Sequence, residues 1–241
     1  MSSSLIYRRA VALQSVIAIP DRPAAPYLTA AETTAIDTLV AAVEARTGVQ
    51  IATAIVGKAD SYLELPWTAF ALGASLAGLA LVAADWSRPQ WVTAGTASAH
   101  VMAILATGAA AALLAIAVPP FGRRLLRESR GQVEVRQYAE SLFLRHALFA
   151  SRRRTTVLVL VSLFERRIEI LADDGFGDRV TNADWQTVIA RMTPSLRDAR
   201  AFDALRDGLA AVDRLLTATG FHADGSERDE LPNRPIEERG E

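Results

Sequence analysis

An acidic loop that contains two glycines is the segment of this chain with the clearest capacity for chemistry. Asp173, Asp174 and Asp178 lie close together and alternate with Gly175 and Gly177. Carboxylate oxygens on a flexible loop are the ligands that calcium and magnesium prefer. The three aspartates are therefore a candidate site for a divalent cation. The competing interpretation is a hydrated loop whose acids lie near the N-terminus of the next helix, where the helix dipole favours negative charge.

A basic cluster, Ser151–Thr155, carries three consecutive arginines. Such a cluster could bind anionic lipid headgroups or a phosphate. Arginines that follow a helix more often complement its dipole and face solvent. His146 and His222 have no partner at metal-ligand spacing, and the sequence contains neither a glycine-rich phosphate loop nor a Ser-His-Asp arrangement. The sequence thus offers binding surfaces but no activated nucleophile.

Composition narrows the functional classes. The chain has 241 residues, of which 51% are apolar and 22% charged, and its net charge is −1. A balanced charge gives no reason to expect nucleic acid as a partner. The sequence contains no cysteine, which excludes disulfides, thiolate catalysis and zinc–thiolate sites.

Two long apolar runs predict transmembrane helices at residues 67–86 and 91–118. Each is long enough to cross the roughly 30 Å hydrocarbon core of a bilayer as a helix, and Trp67 and Trp86 bracket the first run as interfacial tryptophans do. The short connection between the runs predicts an antiparallel hairpin. Small residues spaced four apart, such as Gly73 with Ala77 and Ala99 with Ala103, permit close helix packing, which is also compatible with a homo-oligomer.

Arginines predict the orientation of this hairpin. The connecting loop carries only Arg88, whereas four arginines follow the second run: Arg123, Arg124, Arg127 and Arg130. The positive-inside rule then places that segment, and the N-terminal half with it, in the cytoplasm of a bacterial cell, with the hairpin in the inner membrane. Within the uncharged stretches of the two runs, 67–84 and 91–118, His100 is the only titratable residue. We interpret it as a neutral imidazole that hydrogen-bonds across the hairpin rather than as part of a proton relay.

The remaining sequence predicts an α/β fold: a small mixed sheet covered by helices, interrupted by the hairpin. Thr29 and Glu32 form a capping box that starts a helix, and Gly48 suits its C-cap. A strand around Ile55 is predicted at 49–56, closed by Gly57, and it should join strands near Leu160 and Ile170 in one sheet. Two helices are predicted after residue 180, the second begun by Thr193 and Pro194. The predicted segments are an N-terminal segment at 1–28, domain halves at 29–64 and 132–220, and a polar C-terminal tail at 221–241.

The N-terminal segment offers two interpretations. Arg8 and Arg9 precede a short apolar run that could pass for a signal peptide. The run is interrupted by polar residues and lacks a clear cleavage site. We therefore interpret it as a buried strand or a segment that lies along the membrane surface.

Several of these segments resemble the TPM domain family. The run VLVLVSLFERRIEILA at 157–172 is similar to the family's signature hairpin, and residues 47–51, 60–62 and 229–233 agree with it. The resemblance is closest to a branch of bacterial membrane proteins with a transmembrane hairpin between the domain halves. It implies acidic loop residues that bind metal, in a family that includes accessory proteins of membrane complexes and a plant protein described as an acid phosphatase. Many members have the domain on the non-cytoplasmic side, so the resemblance favours the orientation opposite to the one that the arginines predict.

Three functional hypotheses follow. The first is a non-enzymatic accessory factor, in contact with the lipid bilayer, that binds other membrane proteins and helps assemble or maintain their complex. The second is a metal-dependent, phosphatase-like hydrolase. The third is a structural membrane protein that self-associates. We favour the first, because surfaces and an anchor are visible in the sequence and a nucleophile is not.

Overall fold

A computed structural model describes residues 25–62, 64–87, 91, 93–125, 128–223 and 231–240. Most of the predicted N-terminal segment, 1–28, lies outside these residues. The chain divides into two compact units: Met1–Ala59 together with Arg136–Glu241, and Asp60–Val135. We call the first the sheet unit and the second the hairpin unit.

The sheet unit contains both helices and strands, and the described elements of the hairpin unit are helices. Their order is α1 (Ala30–Thr47), β1 (Gln50–Lys58), α2 (Glu64–Ser87), α3 (Ala94–Ala117), α4 (Pro119–Leu125), α5 (Glu128–Arg145), β2 (Thr156–Ser162), β3 (Arg167–Ala172), α6 (Asn182–Arg197), α7 (Ala201–Ala218) and β4 (Ile236–Gly240). Short 3-10 turns at Leu148–Ala150 and Asp174–Arg179 precede β2 and α6 respectively.

Local signals define α1 as the sequence predicts. The Thr29 side chain accepts a hydrogen bond from the Glu32 amide, and the Glu32 carboxylate accepts one from the Thr29 amide, so the capping box is complete. Gly48 ends the helix in the left-handed conformation with φ 70°, which glycine adopts without a steric penalty. The helix therefore begins and ends where the sequence predicts.

A four-stranded sheet with the order β3-β2-β1-β4 forms the centre of the sheet unit. Strands β1 and β2 pair in parallel from Gln50 with Thr156 to Val56 with Ser162, and β2 pairs with β3 in antiparallel fashion. The prediction that the strand near Ile55 joins those near Leu160 and Ile170 is confirmed. The two segments that the hairpin separates in sequence therefore form one sheet.

The core lies between this sheet and a layer of helices. Ile51 of β1, Val159 of β2 and Leu205 of α7 are among its members and are fully buried. On β3, Ile168 and Ile170 contribute to this core. Helix α5 lies on the opposite face, where it buries Ala139 and Leu142 and its Arg136 contacts Glu169 of β3. A strand covered on both faces must be apolar throughout, which explains the sequence of β2.

The hairpin unit contains two helices, α2 and α3, that are long and apolar enough to span a membrane. In the most apolar stretch of each helix, only 6% of α2 and 11% of α3 is buried. The helices pack closely at Gly73 and Gly108: a Cβ at Gly73 would lie 2.8 Å from the Ala111 Cβ, and one at Gly108 would lie 2.9 Å from the Phe70 ring. Gly73 thus lies in the interface that its spacing predicts, but its neighbours are Gly108 and Ala111 rather than Ala99 and Ala103.

Two predicted boundaries were wrong. Helix α6 continues through Pro194 to Arg197, and α7 begins only at Ala201. Pro194 lies in the last turn, and the chain leaves the helix at Ala199, which has φ 59°. Strand β1 continues through Gly57, where the sequence predicts its end. The Tyr27 hydroxyl lies where a Cβ of residue 57 would be, so this glycine serves a close packing contact and not a turn.

Candidate functional site

The acidic loop begins at the end of β3 and is held by its own first residue. The Asp173 side chain accepts a hydrogen bond from the Asp174 amide at 2.8 Å and so caps the 3-10 turn Asp174–Arg179. Gly175 donates from its amide to the Arg154 carbonyl at 2.8 Å. A Cβ at Gly175 would lie 2.5 Å from the same oxygen. Only glycine lets the loop approach the backbone of the basic cluster so closely.

Asp173 is also paired with a cation of the protein itself. Arg154 donates from Nη2 to Asp173 Oδ1 at 2.8 Å and from Nε to Oδ2 at 3.4 Å. Only 3% of the Asp173 side chain is exposed. The hydrogen bond to Asp173, together with its charge, raises the pKa of Arg154 further above its ordinary value. This arginine of the basic cluster therefore neutralises the buried carboxylate of the acidic loop.

The three predicted metal ligands differ in their surroundings. The Asp174 carboxylate lies 3.2 Å from Arg154 Nη2 and is 84% exposed, and Asp178 is exposed as well. Within the described part of the chain, no three His, Cys, Asp or Glu side chains are grouped so that they could hold an ion. A cation at this loop would have to compete with Arg154 for Asp173. The metal site stays a prediction.

Asp184, the next acid along the chain, has a defined structural position. Its carboxylate accepts hydrogen bonds from the Thr181 amide at 2.8 Å and from the Thr181 hydroxyl at 2.7 Å. These bonds complete the capping box of α6 and lower the pKa of Asp184. The competing interpretation, acids that stabilise a helix N-terminus, describes this residue well.

The turn between β2 and β3 anchors the end of β1. The Ser162 hydroxyl donates to the Glu165 carboxylate, which also accepts a hydrogen bond from the Ala59 amide at 3.0 Å. The amides of Leu163 and Phe164 donate to the Val56 and Gly57 carbonyls. The most specific part of the family resemblance therefore lies at the point where the chain leaves the sheet unit.

Sequence reasoning missed a cluster of ionisable groups around Glu238 of β4. The Tyr138 hydroxyl donates to the Glu238 carboxylate, Arg145 Nη2 lies 2.7 Å from Oε2, and His146 Nε2 lies 3.7 Å from Oε1. Burial, then the hydrogen bond to Glu238 and its charge, raise the pKa of Tyr138, so the phenol stays protonated and remains the donor. The sequence around Glu238 shows no alternation of apolar and polar residues, and three charged residues in succession, Glu237 to Arg239, are typical of a solvated tail.

A second missed pair lies in the hairpin unit. His100 Nδ1 is 3.7 Å from Asp85 Oδ2, and both side chains are partly exposed. Asp85 stands just beyond the uncharged run, so the sequence offered no acid for His100. Arg130, one of the four arginines used for orientation, lies 3.0 Å from Glu64 and 3.6 Å from Glu134.

Comparison with known proteins agrees with this architecture. The family model of the TPM domain matches residues 123–215, a range that contains β2 and β3 but not β1. The NMR structure of the BA42 protein from the psychrophilic bacterium Bizionia argentinensis superposes with a TM-score of 0.53 and 15% sequence identity, over 89% of this chain and 98% of BA42. At that identity the likeness shows the fold alone. No curated protein matches the chain. The TPM domain match therefore applies to residues 123–215 of this chain, the segment that contains β2, β3 and α6.

Proposed function

We propose that this protein is a membrane-anchored accessory factor whose TPM domain binds other proteins of a bacterial inner-membrane complex and helps to assemble or maintain it. It has no enzymatic activity of its own. The observation that carries the proposal is the contrast between a hairpin that exposes its apolar side chains and a sheet unit in which Asp173, Asp184 and Glu165 are engaged in structural contacts.

Exposed apolar side chains support the membrane anchor. Trp67, Leu79 and Ile116 are 74%, 67% and 67% exposed. Soluble monomers rarely expose contiguous apolar patches of more than a few hundred Å². Burial in lipid stabilises such side chains by roughly 25 cal/mol for each Å² removed from water. A bilayer is therefore the surrounding that best suits α2 and α3.

The engaged acids support a binding role over catalysis. Asp173 is paired with Arg154, Asp184 caps α6, and Glu165 holds the end of β1. An activated nucleophile needs an adjacent base that a third group orients, and these carboxylates serve backbone amides and an arginine instead. A metal-dependent hydrolase is the alternative, and it rests on the exposed carboxylates of Asp174 and Asp178.

Orientation in the membrane follows from the arginine bias. We propose that the sheet unit is cytoplasmic. Reporter fusions at Arg130 and at the C-terminus are then active as cytoplasmic fusions, and a fusion at Arg88 is active as a periplasmic one. The opposite pattern would reverse the sidedness and leave the anchor in place.

Affinity purification in mild detergent tests the accessory role. The control is a chimera in which an unrelated two-helix transmembrane hairpin replaces Glu64–Ala117. We expect the same membrane proteins to be enriched with the wild type and with the chimera, because the TPM domain carries the recognition. Enrichment that the chimera loses, with a differently tagged copy of the chain as the main product, would favour the self-associating structural protein and contradict our proposal.

A further inference from the structure

The last strand of the sheet differs in composition from the strand that it covers. β4 has five residues, Ile236–Gly240, and pairs in parallel with β1 from Ala54 with Ile236 to Lys58 with Gly240. The first seven residues of β1 are buried, whereas the side chains of Glu237, Glu238 and Arg239 are half-buried or exposed. Strand β4 is thus held by backbone hydrogen bonds and polar side chains more than by apolar burial.

The side chains of two adjacent acidic residues of β4, Glu237 and Glu238, are bound on opposite faces of the sheet. Glu237 Oε2 accepts hydrogen bonds from the amides of Tyr27 at 2.5 Å and Leu28 at 3.4 Å. Glu238 contacts Tyr138, Arg145 and His146, as described above. Hydrogen bonds to ionised groups contribute more than neutral ones. The residues around the edge of β1 therefore form a receptor for two consecutive acidic residues in an extended chain.

The position of Gly240 adds a further requirement. Its φ is 78°, and a Cβ there would overlap the Lys58 carbonyl. Only glycine fits at this position. The receptor therefore suits a segment with the pattern apolar, acidic, acidic, any residue, glycine, which is the pattern of Ile236–Gly240.

Strand β4 also covers a strongly apolar edge. Ala54, Ile55 and Val56 of β1 are at most 1% exposed while β4 is in place. Without β4, the amides and carbonyls along this edge would lack partners, and such an edge is a template for an added strand.

We propose that the edge of β1 is a recognition site for an acidic, extended segment of a partner protein, and that β4 is its built-in competitor. The partner segment has the pattern apolar, acidic, acidic, any residue, glycine, and it pairs in parallel with β1 in place of β4. The inference rests on the proposed accessory function and names the chemistry of the partner. It commits to another protein, because a second copy of the chain carries the same strand and gains nothing by exchange.

Peptide binding to the full-length protein in detergent tests the exchange. The probe is a fluorescent peptide with the sequence of residues 231–240. Because β4 is tethered at an effective concentration on the order of millimolar, we expect weak binding to the wild type. We expect binding at least about tenfold tighter to the Glu238→Gln protein, whose own strand has lost a charge-assisted contact. The same peptide with Glu238→Gln should bind that protein at least about tenfold more weakly.

A disulfide lock supplies the decisive control. Residues 54 and 236 are register partners, and the chain has no native cysteine, so Ala54→Cys with Ile236→Cys can form only one bridge within a molecule. Oxidation should abolish peptide binding and reduction should restore it, whereas each single-cysteine variant should bind as the wild type does. Binding that persists in the oxidised double variant, or that ignores the Glu238→Gln change in the peptide, would overturn the proposal.

Hydrogen exchange distinguishes displacement of β4 from general loss of structure. In the Glu238→Gln protein we expect the amides of β1 that face β4 to exchange at least about tenfold faster, with those between β2 and β3 unchanged. Equal acceleration in both places, or none, would show that β4 does not leave separately and would overturn the inference. A concentration-dependent dimer of the Glu238→Gln protein would identify a second copy as the occupant and would overturn it too. These tests use purified protein, so their failure is distinct from failure of the co-purification.

Discussion

The sheet unit and the hairpin unit use apolar residues in opposite ways. In the sheet unit Ile55 and Leu158 are fully buried between helices, whereas in the hairpin unit Leu76 and Leu79 are 65% and 67% exposed. Both units contain long apolar sequences. The sheet unit buries them in its own core, whereas the hairpin unit requires apolar surroundings. Composition alone therefore does not separate a core from an anchor. What separates them is whether another element covers the apolar face.

The largest expected effect follows from the divided sheet. If β1 is a central strand, replacing Thr33–Val56 with a flexible linker should abolish the cooperative unfolding of residues 132–220, because β2 would lose its parallel partner. The matched control replaces Glu64–Ala117 with a short linker, and we expect the cooperative transition to survive. Circular dichroism melts measure both. A cooperative melt of residues 132–220 without β1 would contradict the single core.

A pair of leucine substitutions compares the two units directly. Leu158→Ala should lower the free energy of unfolding by about 2–5 kcal/mol, because the buried side chain leaves a cavity. Leu79→Ala, of identical chemistry but mostly exposed, should change it by less than about 0.5 kcal/mol. Denaturant titration of the detergent-solubilised protein, followed by a probe in the sheet unit, gives both values. Similar values would show that the hairpin is coupled to the core.

The acidic loop gives an intermediate effect. If the loop binds a divalent cation, a cation concentration of about one hundred times the dissociation constant would stabilise the protein by about 2.7 kcal/mol. Asp174→Asn and Asp178→Asn should each remove that gain in stability. We expect weak stabilisation without turnover of an aryl phosphate. The control is Asp213→Asn, an acid far from the loop in sequence that is paired with Arg46.

Turnover would decide between the two functional hypotheses for that loop. Metal-dependent hydrolysis by the wild type, lost in both loop variants and kept in the control, would contradict the accessory-factor proposal and favour the hydrolase.

The smallest effect concerns Glu169 beneath α5. Burial raises the pKa of Glu169, although the nearby Arg136 opposes this shift. A raised pKa in the folded state means that the stability this group contributes is present below its unfolded pKa of about 4.3 and is lost as pH rises through the folded value. At pH 7 the Glu169→Gln protein should therefore be as stable as the wild type or more stable, by less than about 1 kcal/mol. The difference in stability should shrink as the pH is lowered towards 4.5. Thermal melts at both values measure it, and a difference that grows on acidification would contradict the sign.

Short-range signals in the sequence determined much of this protein. The capping box at Thr29 and Glu32, the left-handed Gly48 and the apolar run of β2 depend on residues a few positions apart, and each lies where the sequence predicts it. The two apolar helices follow from length and composition in the same way. Pro194 shows the limit of such signals, since a proline in a last turn can be tolerated when the surrounding helix is packed.

Tertiary structure alone decided the pairings of residues that are distant in sequence. Arg154 neutralises Asp173, and Glu238 is bound by Tyr138 and Arg145, which lie 100 and 93 positions earlier in the chain. No local pattern distinguishes such a carboxylate from one that is free to bind metal or to face solvent. The same holds for β4, whose polar sequence lacks a strand signal and whose place in the sheet depends on the exposed edge of β1. Backbone hydrogen bonds along that edge can be satisfied by any extended segment that reaches it, which is why only the assembled fold identifies the segment.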